Sequence, residues 1–311
     1  MPEYAIYTEN LTRDFGTVRA VNEISIAVPK GSVFGFLGPN GAGKTTTIRL
    51  LLGLLDPTSG RAEVLGFDTQ KQADEIRRNC GALLEHSGLY ERLSAEDNLK
   101  FYGRIWHLTP AELEDRVREL LEHLDLWERR KESVGTWSRG MKQKLAIART
   151  LLHRPSLIFM DEPTAGLDPI ASASVREDLA SLAEQEGVTI FLTTHNLAEA
   201  EKLCGSVCVI RDGKVLASGH PDELGALRSA PSLTIIGRGF TEHLLTSLRQ
   251  REEVVSAEIQ NGRLIISLHG SENSAPLINL IVAEGGEVEE VRKGTASLEE
   301  VFLLLMQEEQ Q

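Results

Sequence analysis

One stretch, Gly38-Pro39-Asn40-Gly41-Ala42-Gly43-Lys44-Thr45-Thr46, constrains this chain more than any other. It follows the apolar run "SVFGFL" and leads into "TTIRLLLGLL", so the pattern G-x-x-x-x-G-K-[ST] lies between a predicted strand and a predicted helix. That context confirms the match. Glycines let the backbone fold until several N–H groups point inward at a phosphate, and the helix N-terminus adds positive potential. Lys44 reaches the β- and γ-phosphate oxygens, and the Thr45 hydroxyl is placed for Mg²⁺. A nucleotide site is therefore expected, carried on an α/β core.

The rest of the first two-thirds fits such a core. "SLIFM" and "VTIFLTT" are apolar runs short enough for buried parallel strands, with a helix between them. Strands alternating with helices after a glycine loop predict a doubly wound sheet. The intervening block reads as helical from about residue 88 to 154. Ser94 with Asp97 gives one helix start, and Thr109-Pro110-Ala111-Glu112 gives a stronger one. Past the Gly219-His220-Pro221 break the order becomes β-α-β-β-α-β, including a hairpin at Asn261-Gly262. This is the order of a ferredoxin-like α+β unit. The expected domains are 1–220 and 221–311.

Three further residues belong at the sheet edge that an open α/β fold uses for ligands. "SLIFMDEPTAGLD" delivers Asp161 and Glu162 from the end of a buried strand. Asp161 suits a Mg²⁺-holding role, and Glu162 suits a base that polarises the attacking water. His195, in "FLTTHNLAEAE", ends the next strand and is placed to bond the γ-phosphate and hold that water.

"VGTWSRGMKQKLAIART" is harder to place. Ser138 and Gly140 open a helix with Arg139, Lys142 and Lys144 in its first turns, as though for a second phosphate. Taken together, these motifs resemble the ATP-binding subunit of ABC transporters over roughly residues 4 to 220. The resemblance implies a P-loop ATPase core with an antiparallel β subdomain and a helical subdomain. It places Phe15 against adenine and Glu85 at the Gln-loop position near Mg²⁺, and it makes "AGLD", ending in Asp168, the D-loop. It also explains the second helix tip: Ser138 and Gly140 complete the ATP site of another copy. Arg139 stands where a glycine is usual and is expected to add positive charge near phosphate.

"WSRGMKQKL" and "GTASLEEVFLLLM" resemble the drug- or antibiotic-exporter branch, whose ATPases accompany a separate membrane permease. That resemblance implies docking around residues 85–93, through Leu89, Tyr90 and Leu93, and a cytoplasmic location against the membrane. A soluble mechanical ATPase or translation factor is the rival reading, but those chains usually carry tandem ATPase units or a long coiled-coil insertion. A net charge of −13 disfavours nucleic acid as the main partner. No unbroken apolar run of roughly 18 residues offers a membrane span. Cys80, Cys204 and Cys208 have no paired spacing and suit a reducing compartment; the last two could sit one helical turn apart.

Overall fold

The computed structural model describes residues 4–84, 87–228, 232–260, 262–269, 273–294, 298–299 and 301–302. Two compact units divide the chain, Met1–Ser218 and Gly219–Gln311.

The first unit opens with β1 (Tyr4–Phe15), β2 (Val18–Ile24), β3 (Ala27–Pro29) and β4 (Val33–Leu37), then α1 (Lys44–Leu51). There follow β5 (Ser59–Val64), β6 (Phe67–Asp68), α2 (Ala73–Asn79) and β7 (Cys80–Leu83). Three helices come next: α3 (Ala95–Ile105), α4 (Pro110–His123) and α5 (Arg139–Leu151). The unit closes with β8 (Leu157–Asp161), α6 (Pro169–Glu186), β9 (Thr189–Thr194), α7 (Leu197–Leu203), β10 (Ser206–Arg211) and β11 (Lys214–Gly219).

These strands make two sheets. β1 pairs antiparallel with β2, β3 and β5, and β6 extends β5. The larger sheet has the order β11-β10-β4-β9-β8-β7, and its pairs from β10 to β7 are parallel. Because β4, β9 and β8 are neighbours, the glycine loop, His195 and the Asp161-Glu162 pair leave the same edge from adjacent strands. Phe34, Phe36, Phe159 and Phe191 are buried beneath that edge, with ring centroids 5.3–5.6 Å apart. Burial of each contributes roughly 1.5–3 kcal/mol to the platform under the loop.

The helical block has the predicted starts. Ser94 accepts from the Asp97 N–H, and Thr109 with Glu112 forms a full capping box. Arg116 of α4 is buried and donates to Glu186, at the end of α6, at 2.7 and 2.8 Å. It also donates to the Leu151 carbonyl at 2.8 Å, so one guanidinium fastens α4 to α5 and α6. Removing such a buried charge partner is costly.

The second unit runs α8 (Pro221–Arg228), β12 (Ser232–Arg238), α9 (Glu242–Arg249), β13 (Val254–Gln260), β14 (Arg263–Leu268), α10 (Ala275–Ala283) and β15 (Glu287–Gly294). Its antiparallel sheet has the order β13-β14-β12-β15. Alternate residues Leu233, Ile235, Leu264 and Ile266 join Leu244, Leu248, Leu277 and Ile281 in a core of their own. Gly262 turns the hairpin at φ 76°, and Asn261 lies outside the described residues.

Among the described residues no helix is long and apolar enough to cross a membrane. The cysteines are all buried, and burial pushes each thiol up to about 12. Cys204 follows the end of α7 while Cys208 lies inside β10, so the expectation of one helical turn between them is corrected.

Candidate active site

The loop from Gly38 to Gly43 curls tightly against its neighbours. Gly43 adopts φ 101°, and a β-carbon there would run into the Ala20 carbonyl. Gly41, at φ 82°, has open space around it. The loop and the first turn of α1 line a cleft of about 380 Å³ with Ala20, Asp161 and Glu162. Pro39, Asn40, Gly41, Gly43, Lys44, Thr45 and Thr46 all face it, while Ala42 is buried behind the loop.

The polar side chains form one connected set. Lys44 is buried and its Nζ lies 2.7 Å from the Gly38 carbonyl and 3.0 Å from Glu162 Oε1. Thr45 donates to Asp161 Oδ2 at 2.6 Å, while Asp161 Oδ1 accepts from Thr193. Glu162 Oε2 lies 2.9 Å from His195 Nδ1, and His195 is exposed beyond it. The five residues expected at the site thus form two contacting groups, Lys44–Glu162–His195 and Thr45–Asp161, which Thr193 bridges through its hydroxyl. A lysine, a hydroxyl and a carboxylate beside inward-facing amides can bind a polyphosphate. The outer carboxylate–imidazole pair can orient and deprotonate a water.

Two features of this site were not foreseen. Thr193 supports both acids: its hydroxyl donates to Asp161, and its carbonyl accepts the Glu162 N–H at 3.1 Å. The hint is the polar Thr193-Thr194 pair that follows the apolar run Ile190–Leu192. Glu162 itself has φ 54°, left-handed backbone that costs a non-glycine residue about 1–2 kcal/mol.

The other expected residues lie apart from the cleft. Ser138 caps α5, accepting from the Met141 N–H at 3.3 Å, and is exposed. Gly140 packs α5 onto α6, since a β-carbon would sit 2.9 Å from Ala171 Cβ. Asp168 caps α6, accepting from Ile170 and Ala171. Phe15 is exposed at the tip of the β1–β2 ribbon, with the Arg13 guanidinium 4.7 Å over its ring. Glu85 lies outside the described residues. Tyr90 is exposed and stacks edge-on with exposed Phe101 at 5.0 Å, while Leu89 and Leu93 are half-buried.

The basic residues of α5 are committed elsewhere. Lys142 pairs with Glu91 at 2.6 Å and Lys144 with Asp178 at 3.0 Å. Arg139 donates to the Ala165 carbonyl at 2.9 Å. The guanidinium expected near phosphate thus lies against a loop of its own chain.

A curated relative, the bacitracin transport ATP-binding protein BcrA of Bacillus licheniformis, is 36% identical over 308 residues, covering 97% of both chains. The chain belongs to the ABC transporter ATP-binding family. The ABC transporter family model itself matches residues 21–165, from the β2 ribbon to the loop after Glu162. A daunorubicin resistance ATP-binding protein, DrrA3 of Streptomyces coeruleorubidus, is 34% identical over 98% of this chain and 96% of its own. Among solved structures, cbiO1 from Clostridium perfringens, part of an ABC transporter complex, superposes with a TM-score of 0.68 at 27% identity. It covers 72% of this chain and 92% of that one. The chain thus has the ABC ATPase fold and is an ATP-hydrolysing transport ATPase, and the family match lies within the first unit.

Proposed function

We propose that residues 1–220 form an ATPase that pairs head to tail with a second copy around two ATP molecules and drives a separate membrane permease, with 221–311 as an accessory domain. The observation carrying this reading is the separation of two helix tips. The α1 tip, with Lys44, lines the cleft; the α5 tip, with Ser138, is exposed and absent from that cleft's lining. A second phosphate-ready tip outside that cleft is accounted for by a neighbour's nucleotide, and two-fold pairing makes the arrangement reciprocal.

Lys44 then exchanges its carbonyl and Glu162 contacts for β- and γ-phosphate oxygens. Glu162, freed from Lys44 and held by His195, takes a proton from water as the oxygen bonds to the γ-phosphorus and the bond to the bridging oxygen breaks. Thr45 and Asp161, hard oxygen donors 2.6 Å apart, fit Mg²⁺, with phosphate and water oxygens completing the shell. Bound there, the ion would neutralise charge on the β- and γ-phosphates. Among the described residues no cluster of three His, Cys, Asp or Glu is present, which suits an ion held partly by its substrate.

Transport follows from the permease. The aromatic patch of Tyr90 and Phe101 is the proposed docking surface, at the cytoplasmic face of the membrane. The names of the relatives, bacitracin transport and daunorubicin resistance, support export of a drug or antibiotic. The decisive experiment is Glu162→Gln. ATP binding should persist, kcat should fall by about 10²-fold or more, and light scattering should reveal an ATP-dependent dimer. Monomers at saturating ATP would overturn the pairing.

A further inference from the structure

The loop 163–168, directly after Glu162, is held from two sides. From α5, Arg139 donates to the Ala165 carbonyl at 2.9 Å and Gln143 donates to the Pro163 carbonyl at 2.6 Å. These two are four apart, so they share a helix face. The guanidinium also lies over Gly166, at φ 70°, where a β-carbon would collide with it. From the other side, Thr164 donates to Glu199 of α7, which is fixed by Arg176 at 2.7 Å. Helix α7 begins immediately after His195, with Asn196 as its cap. Inside the loop, the Ala165 N–H returns to the Glu162 carbonyl at 3.0 Å.

We infer that Arg139 and Gln143 are positioning residues. They transmit the seating of the α5 tip on a second copy's nucleotide to this chain's own base, Glu162. The inference rests on the paired reading above. Three arguments support it. The left-handed backbone of Glu162 persists only if its surroundings hold it. The loop is the shortest covalent route from Glu162 to the α5 contacts. Packing of α5 on α6 already has the Lys144–Asp178 pair and the Gly140–Ala171 approach, so Arg139 is not needed to fasten those helices. Arg139, reaching from the helix tip to Ala165 and over Gly166, thus makes that tip a lever on the loop.

The test uses the full chain with Arg139→Ala, Arg139→Lys and Gln143→Ala, alone and in the Glu162→Gln background. Misplacing a reacting group by an ångström costs up to about 10²-fold. Arg139→Ala should therefore lower kcat roughly tenfold or more, leave KM for ATP within about twofold, and keep the ATP-dependent dimer in the Glu162→Gln background. Arg139→Lys, which still offers one N–H to the Ala165 carbonyl, should recover part of kcat, and Gln143→Ala should show the same kcat-only loss to a smaller degree. Wild-type kcat in Arg139→Ala overturns the inference. So does a joint loss of KM and dimerisation, which would place Arg139 at the interface itself. If the Glu162→Gln parent stays monomeric with ATP, the pairing is what fails, and the inference falls with it.

Discussion

Helices α1 and α5 begin alike and are finished differently. Neither has an acidic side chain in its first turn, whereas α2, α3 and α4 carry Asp74 and Glu75, Glu96 and Asp97, and Glu112 there. Acids at a helix N-terminus satisfy the dipole locally, so leaving them out keeps a tip open to an external anion. At α1 the cap is Gly43, with no side-chain hydrogen bond, and Lys44, Thr45, Asp161 and Glu162 gather round it. At α5 Ser138 caps its own helix, and the neighbouring lysines are neutralised by Glu91 and Asp178. On the proposed pairing, one tip captures a nucleotide and the other meets one already captured.

That division breaks or holds on two substitutions, which carry the largest expected effects. Lys44→Ala should abolish ATP binding and turnover, a loss of at least about 10²–10³-fold. Ser138→Ala should leave the isolated chain's ATP affinity unchanged but lower kcat by roughly 10–10²-fold, since it removes a donor from the partner's site. Mixing the two variants should regain activity, because each mixed dimer then holds one pocket with an intact Lys44 and an intact Ser138. If the mixture is as inactive as the separate variants, the two tips serve one chain.

A middle-sized effect tests what α5 needs from α6. Gly140→Ala places a methyl 2.9 Å from Ala171 Cβ, closer than van der Waals contact allows. The α5 tip must shift by a few tenths of an ångström. Turnover should drop several-fold, by about 1 kcal/mol of barrier, with ATP affinity within about twofold of wild type. Native turnover would show that the tip tolerates displacement.

The contrast between the tips was only half legible in the sequence. The glycine loop, the Asp161-Glu162 pair and His195 could be placed because each is a local pattern: strand end, polar residue, helix start. Chain order then brings them to one edge wherever parallel strands are adjacent. Capping at Ser94, Thr109 and Ser138 was readable for the same reason. The destinations of long side chains were not. Arg139, Lys142 and Lys144 look like a basic patch in one dimension, and only packing shows each one spent on a carbonyl or carboxylate. The role of Thr193 and the left-handed backbone of Glu162 depend on register between β8 and β9, which spacing along the chain does not encode. Likewise Cys204 and Cys208 match a helical interval, yet α7 ends just before the first and β10 holds the second.

Asp168 offers the finest discrimination, because α6 is a third tip lying against the second. Its carboxylate accepts from the Ile170 and Ala171 N–H groups at 3.0 and 2.9 Å, and Ile170 beside it is 83% exposed. Asp168→Ala loses the cap, about 1 kcal/mol, which in a unit of this size lowers Tm by roughly 2–4 °C. Asp168→Asn keeps an oxygen acceptor and removes the charge, so Tm should stay within about 2 °C of wild type. If the α6 tip also faces the second copy, Asp168→Asn should still reduce kcat several-fold while folding normally, because an exposed Ile170 and a charged cap then belong to the pairing surface. Native kcat in Asp168→Asn alongside a lowered Tm in Asp168→Ala would confine Asp168 to capping, leaving α5 as the tip that reaches the neighbouring nucleotide.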